Sequence, residues 1–357
     1  MAYVAVSGGR EAIEESIKLL EFYRSATEKD IETEAIEDKL SLLVDRVMSE
    51  AGLYSKSYAA LALKQCEGSI EEAVFLLRAY RSTLTRNYYT ETVNTDEMRV
   101  IRRISAAFKD IAGGQILGAT YDYTHRLINF DIEDEDAALM HRKMRERLYE
   151  QIPLEPALCP RVSSWLKEEG LIENICDGEH SPCDVTSKML EFPAERSARL
   201  QTLSRADAGF VSGLAYSALR GFGQVHPTVG ELRCGYVELC VSHPLDGGES
   251  IYIGEILITE VECFNVADDK DKLKLAVGYG AVFGRNENKA ISMAIIDHEL
   301  NCKGPHPTQN EEFVLMHGDS LEMSGFISHL KLPHYVTFQS KLDAVRKTRR
   351  NPFEQEL

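Results

Sequence analysis

Gly235-Tyr-Val-Glu-Leu-Cys-Val241, the turn signal Asp246-Gly247 and Tyr252-Ile-Gly-Glu-Ile-Leu-Ile258 together decide the fold class. Gly235, Val237, Leu239 and Val241 alternate with Tyr236, Glu238 and Cys240, and Tyr252, Gly254, Ile256 and Ile258 resume the period. A period of two sends successive side chains to opposite faces, so this is a pair of strands joined at Asp-Gly. Residues 277–283 predict another strand, and 208–220 and 289–300 predict helices. Upstream the period changes. Ile36, Leu40, Leu43, Val44 and Val47 form one apolar stripe at helical spacing, with Glu37, Lys39 and Asp45 off it. Ser69-Ile-Glu-Glu72 has the form of a capping box, and Ile70, Ala73, Val74 and Leu77 continue as its buried face. Residues 3–6 predict a short strand before Gly8-Gly9, and a charged helix follows the acidic run 131–136. The sequence therefore reads as α+β. A mainly helical N-terminal region (1–132) is followed by a helical or loop connection (133–194). An α+β region (195–342) then carries an antiparallel or mixed sheet with flanking helices, and 343–357 is a charged tail.

The chain has 357 residues, enough for two domains, and its 44% hydrophobic content supports a real core. A net charge of −17 argues against a general nucleic-acid binder, whose footprint is basic. It leaves room for a nucleotide, which needs only a local basic pocket and Mg²⁺. No run of about 18 apolar residues and no signal-peptide pattern occurs, so the expectation is a soluble, cytoplasmic protein without membrane contact. The eight cysteines include no Cys-x2-Cys pair, which predicts no iron–sulfur cluster in this chain. Cys176-x3-His180-x2-Cys183 is the one local cluster, with a polar loop of free thiols as the simpler reading.

Several positions carry candidate chemistry. In Asp110-Ile-Ala-Gly-Gly-Gln115, Gly113 and Gly114 would let backbone N–H groups approach an oxyanion, although the Gly-Lys-Ser/Thr ending of a Walker A loop is absent. A tight turn explains the same residues. Arg99, Arg102, Arg103 and Lys109 make a basic patch that reads either as a solvated helical face or as a triphosphate clamp. Tyr121-Asp-Tyr-Thr-His-Arg126 offers Asp122 to stabilise positive charge on a sugar ring, His125 to donate a proton and Arg126 to hold an anion. A structural salt-bridge network would use the same residue types. His226, with Glu231 and Arg233 nearby, is a similar case, and His317 reads as a local hydrogen-bonding residue. Glu255 inside an apolar strand needs a partner, solvent or an interface. Finally, Phe326-Ile-Ser-His-Leu-Lys-Leu-Pro-His-Tyr335 sets His329 and His334 around Pro333. On a helix they would point roughly 140° apart. The proline instead predicts a bend on which two imidazoles converge and can bind a metal, most plausibly zinc.

His329-Leu-Lys-Leu-Pro-His-Tyr335 also resembles the C-terminal signature of the PhnI subunits of carbon–phosphorus lyase. The likeness runs through Tyr3-Val-Ala-Val-Ser-Gly-Gly9, Val44-Asp-Arg-Val-Met48, Phe75-Leu-Leu-Arg-Ala-Tyr-Arg81, the stretch 109–126, Ala215-Tyr-Ser-Ala-Leu-Arg-Gly221 and Gly280-Ala-Val-Phe-Gly284, in the expected order. It is faint over 133–194, and no role is carried over there. The resemblance implies a glycosyl transfer in which a phosphonate oxygen displaces adenine from C1′ of MgATP, giving a ribose 1-alkylphosphonate 5-triphosphate. It implies nucleosidase activity when the subunit is alone. It implies companion subunits PhnG, PhnH, PhnJ and PhnL around a homodimeric core, and zinc on His329 and His334 facing the radical subunit. Asp122 and His125 are then the candidate catalytic pair, with Lys109, Gly113, Gly114, Gln115 and Arg126 around the substrate. The competing expectation is a non-catalytic scaffold that docks the companions and lends metal ligands at their interface.

Overall fold

The computed structural model describes residues 9–26, 30–149, 159–172, 182–246, 248–269 and 272–349. The strand expected over 3–6 and Gly247 of the predicted turn lie outside them.

The architecture is α+β. Strands β1 (Arg99–Ile104), β2 (Thr228–Ser242), β3 (Ser250–Asp269) and β4 (Lys272–Phe283) form an antiparallel sheet in the order β1-β2-β3-β4. The predicted hairpin is present, with Val237 opposite Ile256 and Gly235 opposite Ile258. Its alternation describes only the outer half. From Gly230 to Gly235 every residue is buried, because both faces of the sheet are covered there. On one face Leu232, Val261, Cys263 and Val282 pack against Ala290, Met293 and Ala294 of α10 (Glu287–Asn301). The approach is close enough that a Cβ on Gly280 would lie 2.2 Å from the Ala290 carbonyl oxygen. The opposite face carries a layer of buried charge.

The N-terminal region is helical, as expected: α1 (Gly9–Arg24), α2 (Thr33–Lys39), α3 (Ser41–Ala51), α4 (Lys56–Gln65) and α5 (Ile70–Thr83). Ile36, Val44, Val47, Ala60, Leu63, Val74 and Leu77 share one core. The single stripe expected over Ile36–Val47 is in fact two helices. Leu40 caps both, at φ −109° and ψ 31°, and the bend turns its side chain to solvent. Half of the expected capping box forms. Ser69 Oγ accepts from Glu72 N at 3.5 Å, whereas the Ser69 N–H goes to the Cys66 carbonyl.

A larger correction concerns Arg99, Arg102 and Arg103. They lie on β1 and not on a helix, and Arg102 and Arg103 are buried. A bulge between Val100 and Arg102 shifts the register with β2, and both arginines find carboxylate partners. Glu255 is half-exposed and pairs with Arg99 at 2.6 Å, which meets its need for a partner.

Helices α6 (Ala137–Tyr149) and α7 (Val162–Glu168) occupy the connection, followed by α8 (Arg196–Arg205) and α9 (Ala208–Ser217). The helical N-terminal module is tied to the sheet by polar contacts. Asp45 of α3 accepts from the Arg285 N–H at 3.0 Å, and Asn286 Nδ2 donates to the Asp45 carbonyl at 3.0 Å. Lys289 Nζ donates to Ser204 O at 2.6 Å and contacts Ser49 Oγ at 3.2 Å. Beyond α11 (Glu311–Met316), α12 (Ser320–Ser328) leads to the histidine segment and α13 (Tyr335–Arg349), which runs through the boundary expected at 342.

Candidate functional site

The segment after α12 behaves as Pro333 requires. A short 3-10 turn, His329–Lys331, is followed by Leu332 in extended conformation (φ −77°, ψ 158°), and α13 starts at Tyr335. The bend brings His329 and His334 together, with ring centroids 5.6 Å apart. Each ring is oriented by its own backbone. His329 Nδ1 donates to the Phe326 carbonyl, and His334 Nδ1 donates to the Leu332 carbonyl at 2.6 Å. That bond fixes the tautomer and leaves both Nε2 lone pairs free, the arrangement a histidine metal ligand needs. The His334 ring is exposed and that of His329 is half-buried. The described residues contain no group of three or more His, Cys, Asp or Glu side chains able to hold a metal. The histidine pair therefore fits half of a zinc site, and the remaining ligands must come from outside it.

Asp122 and His125 lie in an irregular, exposed stretch at the edge of β1. Arg102 holds this stretch to the fold. Its Nη2 lies 2.6 Å from Asp122 Oδ2, its Nε 2.6 Å from Glu287 Oε1, and its Nη1 donates to the Leu117 carbonyl. Arg126 Nη2 stands 4.0 Å from the other Asp122 oxygen. A hydrogen bond with the Thr120 side chain, with Arg102 and Arg126 adding to it, keeps the Asp122 carboxyl below the usual carboxylate range. An ionised carboxylate can stabilise an oxocarbenium-like centre, and it is the wrong species to donate a proton.

The Gly-rich turn is committed to structure more than to an open phosphate cradle. Gly113 and Gly114 both have positive φ (82° and 73°). Gln115 spends its side-chain amide within the turn: Oε1 accepts from Ser105 N at 3.2 Å, and Nε2 donates to the Ser105 and Phe108 carbonyls at 3.3 Å. The carbonyls of Ala112 and Gly114 turn toward the Arg103 guanidinium. Lys109 is exposed. So the structure gathers Asp122 and Arg126 with Arg102, and separately His329 with His334, while Gln115 serves its own turn.

Beneath the turn lies a buried ionic layer. Arg103 pairs with Glu231, and Glu231 Oε2 accepts from Val162 N at 2.9 Å. Arg161 reaches Glu260 at 2.9 Å and Glu262 at 3.2 Å, and Tyr279 Oη donates to Glu260 at 2.9 Å. Burial disfavours charge on Arg161, and Glu260 and Glu262 more than offset this, so its proton is held above the ordinary range. Burial pushes the Glu262 carboxyl up. These residues were not legible as a set. Cross-strand register brings Arg103 beside Arg233 and Glu260, both more than a hundred positions further along the chain. His226 is exposed and stands apart from its sequence neighbours Glu231 and Arg233, which are buried in this layer. His317 Nδ1 donates to the Phe313 carbonyl at 2.8 Å, the local role expected of it. Cys176 and His180 of the thiol cluster lie outside the described residues.

A family model described as "Bacterial phosphonate metabolism protein (PhnI)" matches residues 2–352. The chain is 43% identical to the alpha-D-ribose 1-methylphosphonate 5-triphosphate synthase subunit PhnI of Escherichia coli (strain K12), over 97% of this chain and 98% of that protein. It is 43% identical to the subunit of the same name from Rhizobium meliloti (strain 1021), over 98% of this chain and 95% of the relative. It is 44% identical to the putative C-P lyase subunit protein HtxH of Stutzerimonas stutzeri, over 98% and 96% of the two chains.

Proposed function

This chain belongs to the PhnI family of bacterial phosphonate metabolism proteins, and on that premise we propose that it is the glycosyl-transferring subunit of a carbon–phosphorus lyase system. The reaction is displacement of adenine from C1′ of MgATP by a phosphonate oxygen, with water as acceptor when the subunit acts alone. The observation that carries the reading is near-full-length similarity to proteins named as subunits of the synthase that makes this product. In the site, ionised Asp122 supplies the negative charge a cationic ribose ring requires, and Arg126 supplies a cation for a phosphate oxygen. His125 is the group in reach along the chain to protonate the departing purine. Exposed Lys109 supplies a further cation for the nucleotide, and Gln115 shapes the Gly113–Gly114 turn from within.

Zinc fits the paired histidines, and His329 and His334 would hold it through Nε2. Bound there, it would supply a Lewis-acid contact for oxyanions at the junction with a companion subunit. The backbone carbonyls of Phe326 and Leu332 hold the two rings in register for that contact. Companions of the PhnG, PhnH, PhnJ and PhnL kind and a homodimeric core belong to this proposal.

The scaffold reading is favoured by a separate observation. No residue of α1 is buried, and Ile13, Ile17, Leu20, Leu127, Ile128 and Phe130 are all exposed. A helix of this length with no packed face is marginal in water, so a partner surface would complete it. One experiment separates the two readings: adenine release from MgATP by the purified chain, alone and with its companions and methylphosphonate. Release by the chain alone, lost in Asp122→Asn, supports the transferase. Release in neither condition overturns it and leaves the scaffold.

A further inference from the structure

The chain is strongly acidic, yet at one place it gathers more arginines than carboxylates. Gly52 ends α3 in the left-handed conformation (φ 63°), with Arg81 of α5 and Arg205 of α8 over it. A Cβ at residue 52 would stand 3.0 Å from Arg81 Nη1 and 3.4 Å from Arg205 Nε, so the two guanidinium groups converge on one point. Neighbouring arginines are neutralised: Arg78 pairs with Asp319 and Arg86 with Asp184. Among the described residues, neither Arg81 nor Arg205 has a carboxylate within ion-pair distance. Arg81 donates to the Gly52 carbonyl at 3.2 Å. Arg205 is half-buried and donates no hydrogen bond among the described residues, and its Nε is sealed from solvent without a partner. Burial and then the charges of Arg78 and Arg81 pull the Arg205 proton affinity down to about 10, with Asp319 and Asp184 only partly opposing them. Burial with Arg78 and Arg86 lowers that of Arg81 against a smaller pull from Asp184. Two like charges held together at such a cost are stabilised when an anion lies between them.

We propose that Arg81 and Arg205, over Gly52, form a binding site for a tetrahedral phosphoryl oxyanion. Planar guanidinium forks match phosphate oxygens in pairs, and the absence of a side chain at Gly52 lets the two arginines come together over the backbone. The anion is either the triphosphate tail of the nucleotide or the phosphonate group. Only this choice of source rests on the transferase reading above.

The test uses the purified full-length chain and thermal unfolding in phosphate-free buffer, with inorganic phosphate, inorganic tripolyphosphate or methylphosphonate added, against potassium chloride at equal ionic strength. Phosphate is expected to raise the Tm of the wild type beyond the chloride control. Arg205→Gln should weaken phosphate binding about tenfold or more, the loss of one charge-assisted contact. Without anion, Arg205→Gln should be no less stable than wild type, since it removes repulsion and breaks no hydrogen bond. Arg205→Lys should retain part of the phosphate effect. A stronger response to tripolyphosphate than to methylphosphonate assigns the site to the nucleotide tail, and the reverse assigns it to the phosphonate. Equal phosphate responses in wild type and Arg205→Gln, no response in wild type beyond chloride, or an Arg205→Gln chain that cannot fold would each overturn the assignment. No step involves nucleotide turnover, so failure of the transferase reading leaves this result standing.

Discussion

Arg102 and Asp122 are joined by an ion pair of 2.6 Å across the edge of the sheet, and the same guanidinium reaches Glu287 at the start of α10. Arg102 is nearly buried, whereas Asp122 sits in a stretch of chain with little other support. The position of the candidate carboxylate therefore depends on a residue that does not itself face the substrate. Arg102→Gln is expected to cost roughly 1.5–3 kcal/mol of stability, the range for hydrogen bonds to charged groups. Adenine release should fall at least about tenfold, through kcat more than KM, because misplacement of a charge acts in the transition state. Arg102→Lys should recover part of the rate. Steady-state kinetics of the two variants beside their melting curves check this, and unchanged kcat in Arg102→Gln would remove Arg102 from that role.

The histidine pair gives a second expectation. Isothermal titration with Zn²⁺ should show one site on the wild-type chain, and His329→Ala or His334→Ala should each abolish it; His334→Ala, which removes an exposed ring, should leave the melting temperature unchanged. With two protein ligands the isolated site is weak. Affinity should rise in the presence of companion subunits that complete the coordination.

Lys289 sets a pH dependence. Burial pulls its ammonium down to about 8 from an ordinary value of 10.5. Between those two values the unfolded chain binds more protons than the folded one, so this group makes stability rise as pH climbs from about 8 to 10.5. Below pH 8 its penalty is present in full, on the order of 3 kcal/mol. The stability of wild type relative to Lys289→Met should therefore increase between pH 7 and pH 10. Urea unfolding of both proteins at the two pH values measures it, and a flat difference would contradict the burial argument.

Close approach of α10 to the sheet makes Gly280→Ala a sharp test of packing. The added methyl would meet the Ala290 carbonyl and the Met293 Cβ, at 2.2 and 2.8 Å. The helix must move away, and overpacking of this kind costs about 1–3 kcal/mol. Thermal melts followed by circular dichroism should show it. No loss of stability would mean that α10 stands further from β4.

The bare apolar face of α1 predicts a difference between free and assembled states. Amide exchange across Gly9–Arg24 should be fast in the isolated chain and slowed when companion subunits are added. Equal exchange rates in the two states would show that the helix is not covered by them.

Much of this was readable along the chain because its cause is local. The period of two through Gly235–Val241 placed the hairpin, the apolar spacing from Ile36 to Leu77 placed the helical module, and Pro333 fixed the bend that joins His329 to His334. Each follows from side-chain period or from the one φ value proline allows. The break at Leu40 was not visible, since the stripe continues through it and only packing of α2 on α4 and α3 on α5 sets the angle.

The sequence by itself determined the α+β class, the helical first third and the paired histidines. Tertiary structure alone decided that Arg102 and Arg103 lie on an edge strand with buried heads, that Arg102 carries Asp122, and that Arg81 and Arg205 meet over Gly52. The physical reason is range. Charges with an apolar period around them can sit on a helix, a strand or a loop. What permits their burial is a partner brought from a distant segment: Glu231 for Arg103 and Glu287 for Arg102. No period records that pairing, because it exists only once the sheet register and the seat of α10 are fixed.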